Sequence, residues 1–153
     1  MIELYHNSHG SIKKRGKNIN IKRFWLSIIP AYIAMSVVGA LGTMLLIEPL
    51  ESFMALGRPE AELAQMMPYT IMAYLVMTVL YAYVYVEMRK DGSIKEGAKI
   101  GAVIGMIISC LTWVYYSMLP FEIPAVLVDN VINITSSMAG GIMFAIIYKP
   151  IEK

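Results

Sequence analysis

Polar side chains recur along one side of an apolar stretch near the C-terminus, and their types suit solute binding better than catalysis. They are the carboxylate of Asp129, the amide of Asn133 and the hydroxyls of Ser136 and Ser137, with Asn130 at the edge of the same side. Polar groups inside a membrane are costly and usually face a bundle interior, a partner or a water-filled path. Their helical spacing therefore indicates either a path for a small solute or a polar seam between helices.

Tyrosines on an earlier apolar stretch are candidate partners of this polar stripe. Tyr74 and Tyr81 fall on one helical face together with Thr78. A phenol hydroxyl can donate a hydrogen bond to a polar group inside a bundle. We expect Tyr74 and Tyr81 to serve the Asn133 region as donors or to line a small-molecule pocket, although packing alone would explain them equally well.

Groups for enzymatic or cofactor chemistry are missing from the sequence. It contains no signature of a Ser-His-Asp triad, of paired catalytic carboxylates or of a nucleotide-binding site. His6 and His9 form an H-x-x-H pair without a third ligand, so we expect no metal site. We therefore expect no enzymatic activity, no catalytic residue, no cofactor and no nucleic-acid partner.

Small residues at a spacing of four mark a packing face. Gly97, Gly101, Gly105 and Ser109 follow this spacing in one apolar stretch, and Gly140-Gly141 lies in the next. Small residues allow two membrane helices to approach closely, which favours their association in lipid. We expect these residues to form either a tight crossing within the chain or an interface with another copy or subunit. In both cases this face does not contact lipid.

Four helices are predicted to position these residues. The chain is 58% hydrophobic and only 16% charged, and its apolar residues are concentrated in long blocks. A stretch of about 20 apolar residues is long enough to span a bilayer as a helix. We predict an all-α, polytopic membrane protein with a four-helix bundle in residues 24–149. The predicted helices are about 24–47, 69–88, 97–119 and 124–148.

The segment 48–68 is too polar to span a membrane, because charged residues interrupt its apolar ones. We predict an interfacial segment between the first and second helices. Within it, Arg58-Pro59-Glu60 indicates a helix start, since proline suits the first helical position and carboxylates favour the positive end of a helix dipole. Pro68 is then expected to bend the chain into the second helix.

The basic residues are distributed very unevenly. Twelve of the thirteen Lys and Arg residues lie in the arm 1–23, the turn 89–99 and the C-terminus, which leaves only Arg58 elsewhere. Because loops rich in Lys and Arg stay in the cytoplasm, both termini are predicted to be cytoplasmic. The arm is expected to lie near anionic headgroups, and residues 150–153 to form a cytoplasmic tail.

The order of several motifs resembles small uncharacterised four-helix bacterial membrane proteins. These motifs are the Arg58–Glu62 segment, Glu96-Gly97 followed by Gly101 and Gly105, and a close from Gly141 to Ile147-Tyr148-Lys149. The resemblance covers residues 24–149. It implies the bacterial cytoplasmic (inner) membrane as the location, and it transfers no catalytic residue.

Two functions fit these patterns. The first is a non-catalytic accessory or assembly subunit, which docks through its small-residue helix faces on itself or on a larger inner-membrane complex. Its expected partners are the lipid bilayer and either further copies of the chain or other membrane-protein subunits. The alternative is a small carrier or channel with a polar path along the fourth helix. This alternative predicts a water-accessible cavity between the second and fourth helices.

Overall fold

The computed structural model describes residues 20–148, apart from the side chain of Glu60, and every regular element in this range is helical. Four of the helices are long and apolar enough to cross a membrane, as predicted. The tail 150–153 and residues 1–19 of the basic arm lie outside the described residues. In chain order the elements are α1 (Ile21–Leu45), a 3₁₀ turn (Glu48–Leu50), α2 (Glu51–Ala55), α3 (Glu60–Met88), α4 (Ile94–Met118) and α5 (Ile123–Ile147).

Helix α3 is longer than predicted, whereas α1, α4 and α5 begin and end within three residues of their predicted bounds. It begins at Glu60, directly after Pro59, which confirms the predicted helix start but not a start at residue 69. Pro68 lies inside α3 and does not separate two elements. A proline removes one backbone donor and crowds the preceding turn, and membrane helices tolerate this. The position of segment 48–68 at a membrane surface stays a prediction.

The turn between α3 and α4 is closed by side chains that cap the start of α4. Ser93 Oγ accepts a hydrogen bond from the Glu96 N–H at 3.2 Å, and the Glu96 carboxylate accepts from the N–H groups of Lys90, Asp91 and Gly92. Gly92 has a φ of 69°, a conformation that favours glycine. The Ser93 N–H donates to Asp91 Oδ1 at 2.9 Å and lowers the pKa of that carboxyl. The turn therefore holds α3 and α4 antiparallel.

Helix α5 contacts all three other long helices. It runs antiparallel to α4 and α1, and parallel to α3. We call the end of the bundle that carries the α3–α4 turn the Arg89 end, and the opposite end, where α5 begins, the Glu122 end. Helix α3 is attached mainly near the Arg89 end, since residues 61–74 are all exposed while Tyr81 and Tyr85 are buried.

Two separate apolar clusters stabilise the bundle. The larger one lies towards the Arg89 end and includes Tyr81, Tyr85, Ile100, Phe144 and Tyr148. The smaller one lies at the Glu122 end and is built from Leu50, Ala125 and Ile132, with Phe53 and Val128 packed against it. Because α3 contributes to the larger cluster alone, its first half stands apart from α1 and α5.

Candidate functional site

A cleft lies between α1, α3 and α5, where the first half of α3 stands apart from its neighbours. Its volume is about 590 Å³, within the range of about 300–1,000 Å³ that is usual for small-molecule sites. Its wall includes exposed residues, so the cleft is open and not sealed. The polar lining comprises Tyr32, Ser36 and Thr43 of α1, Thr70, Tyr74 and Thr78 of α3, and Asp129, Asn133, Ser136 and Ser137 of α5.

Asp129 is the acidic residue of this lining, and neutral groups hold it in place. Its Oδ2 accepts hydrogen bonds from Thr112 Oγ1 at 2.7 Å and from Asn133 Nδ2 at 2.8 Å. Among the residues that the structure describes, none donates a hydrogen bond to its Oδ1, and no Lys, Arg or His lines the cleft. The carboxylate is thus oriented by two donors on one oxygen, which leaves the other available to a ligand.

The cleft ends where Tyr81 joins α3 to the α4–α5 pair. Tyr81 Oη donates to the backbone oxygen of Ser137 at 2.7 Å, and its ring meets the Phe144 ring edge-on at 5.0 Å between centroids. A Cβ added at Gly101 or Gly141 would come within 2.7 Å and 2.6 Å of Tyr81 Oη. The hydroxyl therefore occupies space that two glycines leave free, on the Arg89 side of the cleft.

The small residues of α4 lie against α5 of the same chain. A Cβ added at Gly97 would overlap the backbone oxygen of Gly141, and one at Gly105 would stand 2.6 Å from Ile134 Cα. Ser109 continues this face, since its Oγ donates to the backbone oxygen of Asn130 at 3.4 Å. Close approach of the two backbones thus depends on these residues having no side chain or a small one.

Gly140 belongs to a different contact from the rest of the small-residue set. A Cβ there would come within 2.6 Å of Met35 Cγ and Sδ, so this glycine makes room for a side chain of α1. Helix α5 consequently presents small residues to two neighbours at once, Gly141 to α4 and Gly140 to α1.

The predicted polar path is only partly brought together. Tyr74, Asp129, Asn133, Ser136 and Ser137 line the cleft. Asn130 does not line it: with its amide turned to satisfy both neighbours, it accepts from Trp113 Nε1 at 2.8 Å and donates to the Val126 oxygen at 3.3 Å. Tyr81 does not line it either, because it forms the closed end.

Polar residues that the sequence reasoning missed also contribute to this site. Tyr32, Ser36 and Thr43 supply the α1 wall, and Thr112 orients Asp129 from α4. A signal for them was present. Ser36, Gly39 and Thr43 repeat the small and polar spacing seen on α4 and α5, and Thr112 extends the stripe that ends at Ser109 by one helical step.

Comparisons add no relative from which a role could be transferred. No protein-family model, no curated protein and no solved structure matches this chain. Within residues 20–148, no three His, Cys, Asp or Glu side chains come close enough together to hold a metal ion, while His6 and His9 lie outside that range. The chemistry of the site therefore follows from the cleft and its lining alone.

Proposed function

We propose that this chain is a multi-pass membrane protein that binds a small polar solute in the cleft between α1, α3 and α5 and carries it across the bilayer. The observation behind the proposal is the open cleft itself. It follows α5 from Asp129 to Ser137, about 12 Å along the helix axis. Polar groups of a mere packing seam would be covered by neighbouring helices, whereas Ser36, Thr43 and Tyr74 remain exposed.

Docking as an accessory subunit, the other function predicted above, has less support. The faces that it would use already contact other parts of the chain, Gly97 and Gly105 against α5 and Gly140 against α1. A partner could reach the α4 face only after α5 had moved away. We therefore rank the carrier above the accessory subunit.

The membrane orientation is part of the proposal. With twelve of thirteen Lys and Arg residues in the arm, the α3–α4 turn and the C-terminus, the Arg89 end lies in the cytoplasm according to the positive-inside rule. The Glu122 end and the cleft nearest to it then face outwards. The proposed location is the bacterial cytoplasmic membrane, with both termini inside.

Cysteine labelling tests whether the cleft contains water. In a Cys110→Ser background, we expect Ser136→Cys in liposomes to react with iodoacetamide, since the reaction needs a thiolate and a thiolate needs water. Val131→Cys is the matched control, because Val131 lies on the same helix, outside the cleft lining, and is 55% exposed to whatever surrounds the protein. It should react slowly because lipid surrounds it. Equal, slow labelling of both positions would overturn the proposal.

Flux tests the carrier step separately. We expect proteoliposomes to take up at least one of choline, alanine and glycerol faster than protein-free liposomes do. Asn133→Ala removes a donor to Asp129 within the cleft and should lower that uptake severalfold, while Thr135→Ala, an exposed position on the same helix, should not. Labelled cysteine without any uptake would leave a water-filled cleft and refute carriage.

A further inference from the structure

We infer that the cleft selects a cation, specifically a small organic ammonium group, and that Asp129 is its counter-charge. This inference rests on the proposed function, because it names the class of solute that the same cleft binds. It goes further in assigning a charge, a recognising group and a direction of entry.

The first argument is the charge balance of the lining. Asp129 contributes a carboxylate, while none of the lining residues among those described, 20–148, is a Lys, Arg or His. An ionised carboxylate in a membrane protein is costly unless an opposite charge or strong donors accompany it. Thr112 and Asn133 supply two neutral donors to Oδ2 alone. A bound cation would complete the site by contacting Oδ1.

The second argument is the remaining surface of the cleft. Tyr32 and Tyr74 bring two aromatic rings, and Met35, Met67 and Met77 bring polarizable thioethers. Aromatic faces attract ammonium groups, and quaternary ammonium ligands are commonly recognised this way. A small metal ion would leave most of about 590 Å³ unfilled, whereas an alkylated ammonium group has the size and the apolar substituents to contact these walls.

The third argument is the charge around the entrance. Four exposed carboxylates lie at the Glu122 end, those of Glu48, Glu51, Glu62 and Glu122. Among the described residues at that end, Arg58 is the only Lys or Arg, and it forms an ion pair with Glu62 at 3.3 Å. Clusters of one sign raise the local concentration of the opposite ion. Cations are therefore concentrated at the end of the bundle nearest Asp129.

Two sources could supply the same chemistry, a soluble amine and the choline headgroup of a phospholipid. Both present a quaternary or protonated nitrogen to Asp129. The cleft separates α1 from the first half of α3. Because this gap opens towards the side of the bundle, a lipid headgroup could enter it as well as a solute from water, and the experiment tests both.

Choline and its neutral isostere, 3,3-dimethylbutan-1-ol, separate charge from shape. The full chain in phosphatidylglycerol nanodiscs, which contain no choline, is titrated with each compound by calorimetry. We expect choline to bind at least tenfold more tightly than the alcohol. A parallel sample in mixed phosphatidylcholine and phosphatidylglycerol is examined by native mass spectrometry for retained phosphatidylcholine. Binding of free choline identifies a soluble cation, and retention of phosphatidylcholine without it identifies the headgroup.

Variants then assign the preference to one carboxylate. Asp129→Asn should lower choline affinity, or phosphatidylcholine retention, at least tenfold and leave binding of the alcohol unchanged, while Asp129→Glu should preserve the preference. Glu87→Gln removes an exposed carboxylate near the Arg89 end, outside both the cleft lining and the entrance cluster, and should change affinity less than twofold.

Several outcomes would overturn the inference. They are equal binding of choline and the alcohol by the unaltered chain, an unchanged preference in Asp129→Asn, or neither choline binding nor phosphatidylcholine retention. Iodoacetamide is neutral, so labelling of Ser136→Cys reports water in the cleft without requiring that the cleft bind a cation. Labelling without a preference for choline refutes the cation and leaves the proposed function standing, whereas no labelling removes both.

Discussion

Single glycines decide how closely α4 and α5 pack, and their consequences differ sharply with position. At Gly101 an added Cβ would meet Met138 Cα and Tyr81 Oη at 2.7 Å, whereas at Gly39 it would meet only Ser136 Cβ at 3.9 Å. The first is a clash with backbone, and the second is an ordinary van der Waals contact. The two glycines are therefore a matched pair for measuring the value of the close approach.

Gly101→Ala should lower the free energy of unfolding by about 1–3 kcal/mol, because the two helices must separate to accommodate the methyl group. Gly39→Ala should be neutral or stabilising by up to about 1 kcal/mol, since alanine favours a helix and meets no obstacle. Unfolding in a series of detergent mixtures measures both. Equal stability of the two variants would contradict the packing described for Gly101.

At the same scale, the sequence predicted which residues are small and polar but not which of them meet. The spacing of Gly97, Gly101 and Gly105 is visible in the chain, and so a face turned away from lipid could be predicted. The insertion of the Tyr81 hydroxyl between Gly101 and Gly141 depends on residues far apart in sequence. No periodicity within one helix carries that information.

Among the helices, α3 is anchored at one end only. Its attachment depends on the hydrogen bond from Tyr81 to the Ser137 oxygen, on Tyr85 stacking against Phe144 at 5.6 Å, and on Arg89, whose guanidinium lies 4.4 Å from the Tyr148 ring centroid. Among the described residues, no side-chain hydrogen bond or ring contact joins the half that begins at Glu60 to another long helix, and the space between this half and α1 forms the cleft. The polar stripe on α5 predicts a site here. The contribution of α1 could not be predicted, because the sequence does not show which helices become neighbours.

Tyr81→Phe should weaken this attachment. The variant loses a buried hydrogen bond worth about 1 kcal/mol. The free energy of unfolding should therefore fall, and Ser136→Cys should react faster with iodoacetamide. Tyr83→Phe is the control, because Tyr83 lies on the same helix and is 54% exposed. Unfolding measurements and the rate of iodoacetamide labelling at Ser136→Cys report the two effects. If Tyr83→Phe has as large an effect as Tyr81→Phe, the hydroxyl does not anchor α3.

The bounds of α3 also show why the sequence predicts a separate segment at 48–68, whereas the structure includes residues 60–68 in α3. Glu60, Glu62 and Pro68 argue against a spanning helix when each residue is weighed alone. In the structure the helix begins before the apolar stretch and continues through the proline. Charged residues can occupy a helix end that projects beyond the hydrocarbon core, so composition marks the membrane boundary and not the helix boundary.

For the whole molecule, the uneven charge distribution gives the two ends different character. The Arg89 end carries Arg89, Lys90, Lys95 and Lys99, whereas the opposite end carries mainly carboxylates. In the proposed orientation, with the Arg89 end in the cytoplasm, a cation approaching from outside would reach the acidic end first. Orientation and solute charge are thus linked, although separate experiments test them.

In a Cys110→Ser background, Arg58→Cys and Lys90→Cys place single thiols at opposite ends of the bundle. In right-side-out vesicles, a membrane-impermeant maleimide should label Arg58→Cys at once and Lys90→Cys only after permeabilisation, because the positive-inside rule predicts that the basic end is cytoplasmic. The reverse pattern would show an inverted protein.

Gentle extraction in the same preparation would reveal whether the chain assembles with copies or partners, which stays a prediction.

Helix α5 is the last of the described helices to be synthesised, yet α1, α3 and α4 all pack on it. The earlier helices are therefore synthesised before the element that joins them exists. During that interval the hydroxyl of Thr112 lacks Asp129 of α5, to which it donates in the folded chain. A chain interrupted before Pro124 would accordingly yield helices without a common core, which cellular quality control would recognise by their uncovered polar faces.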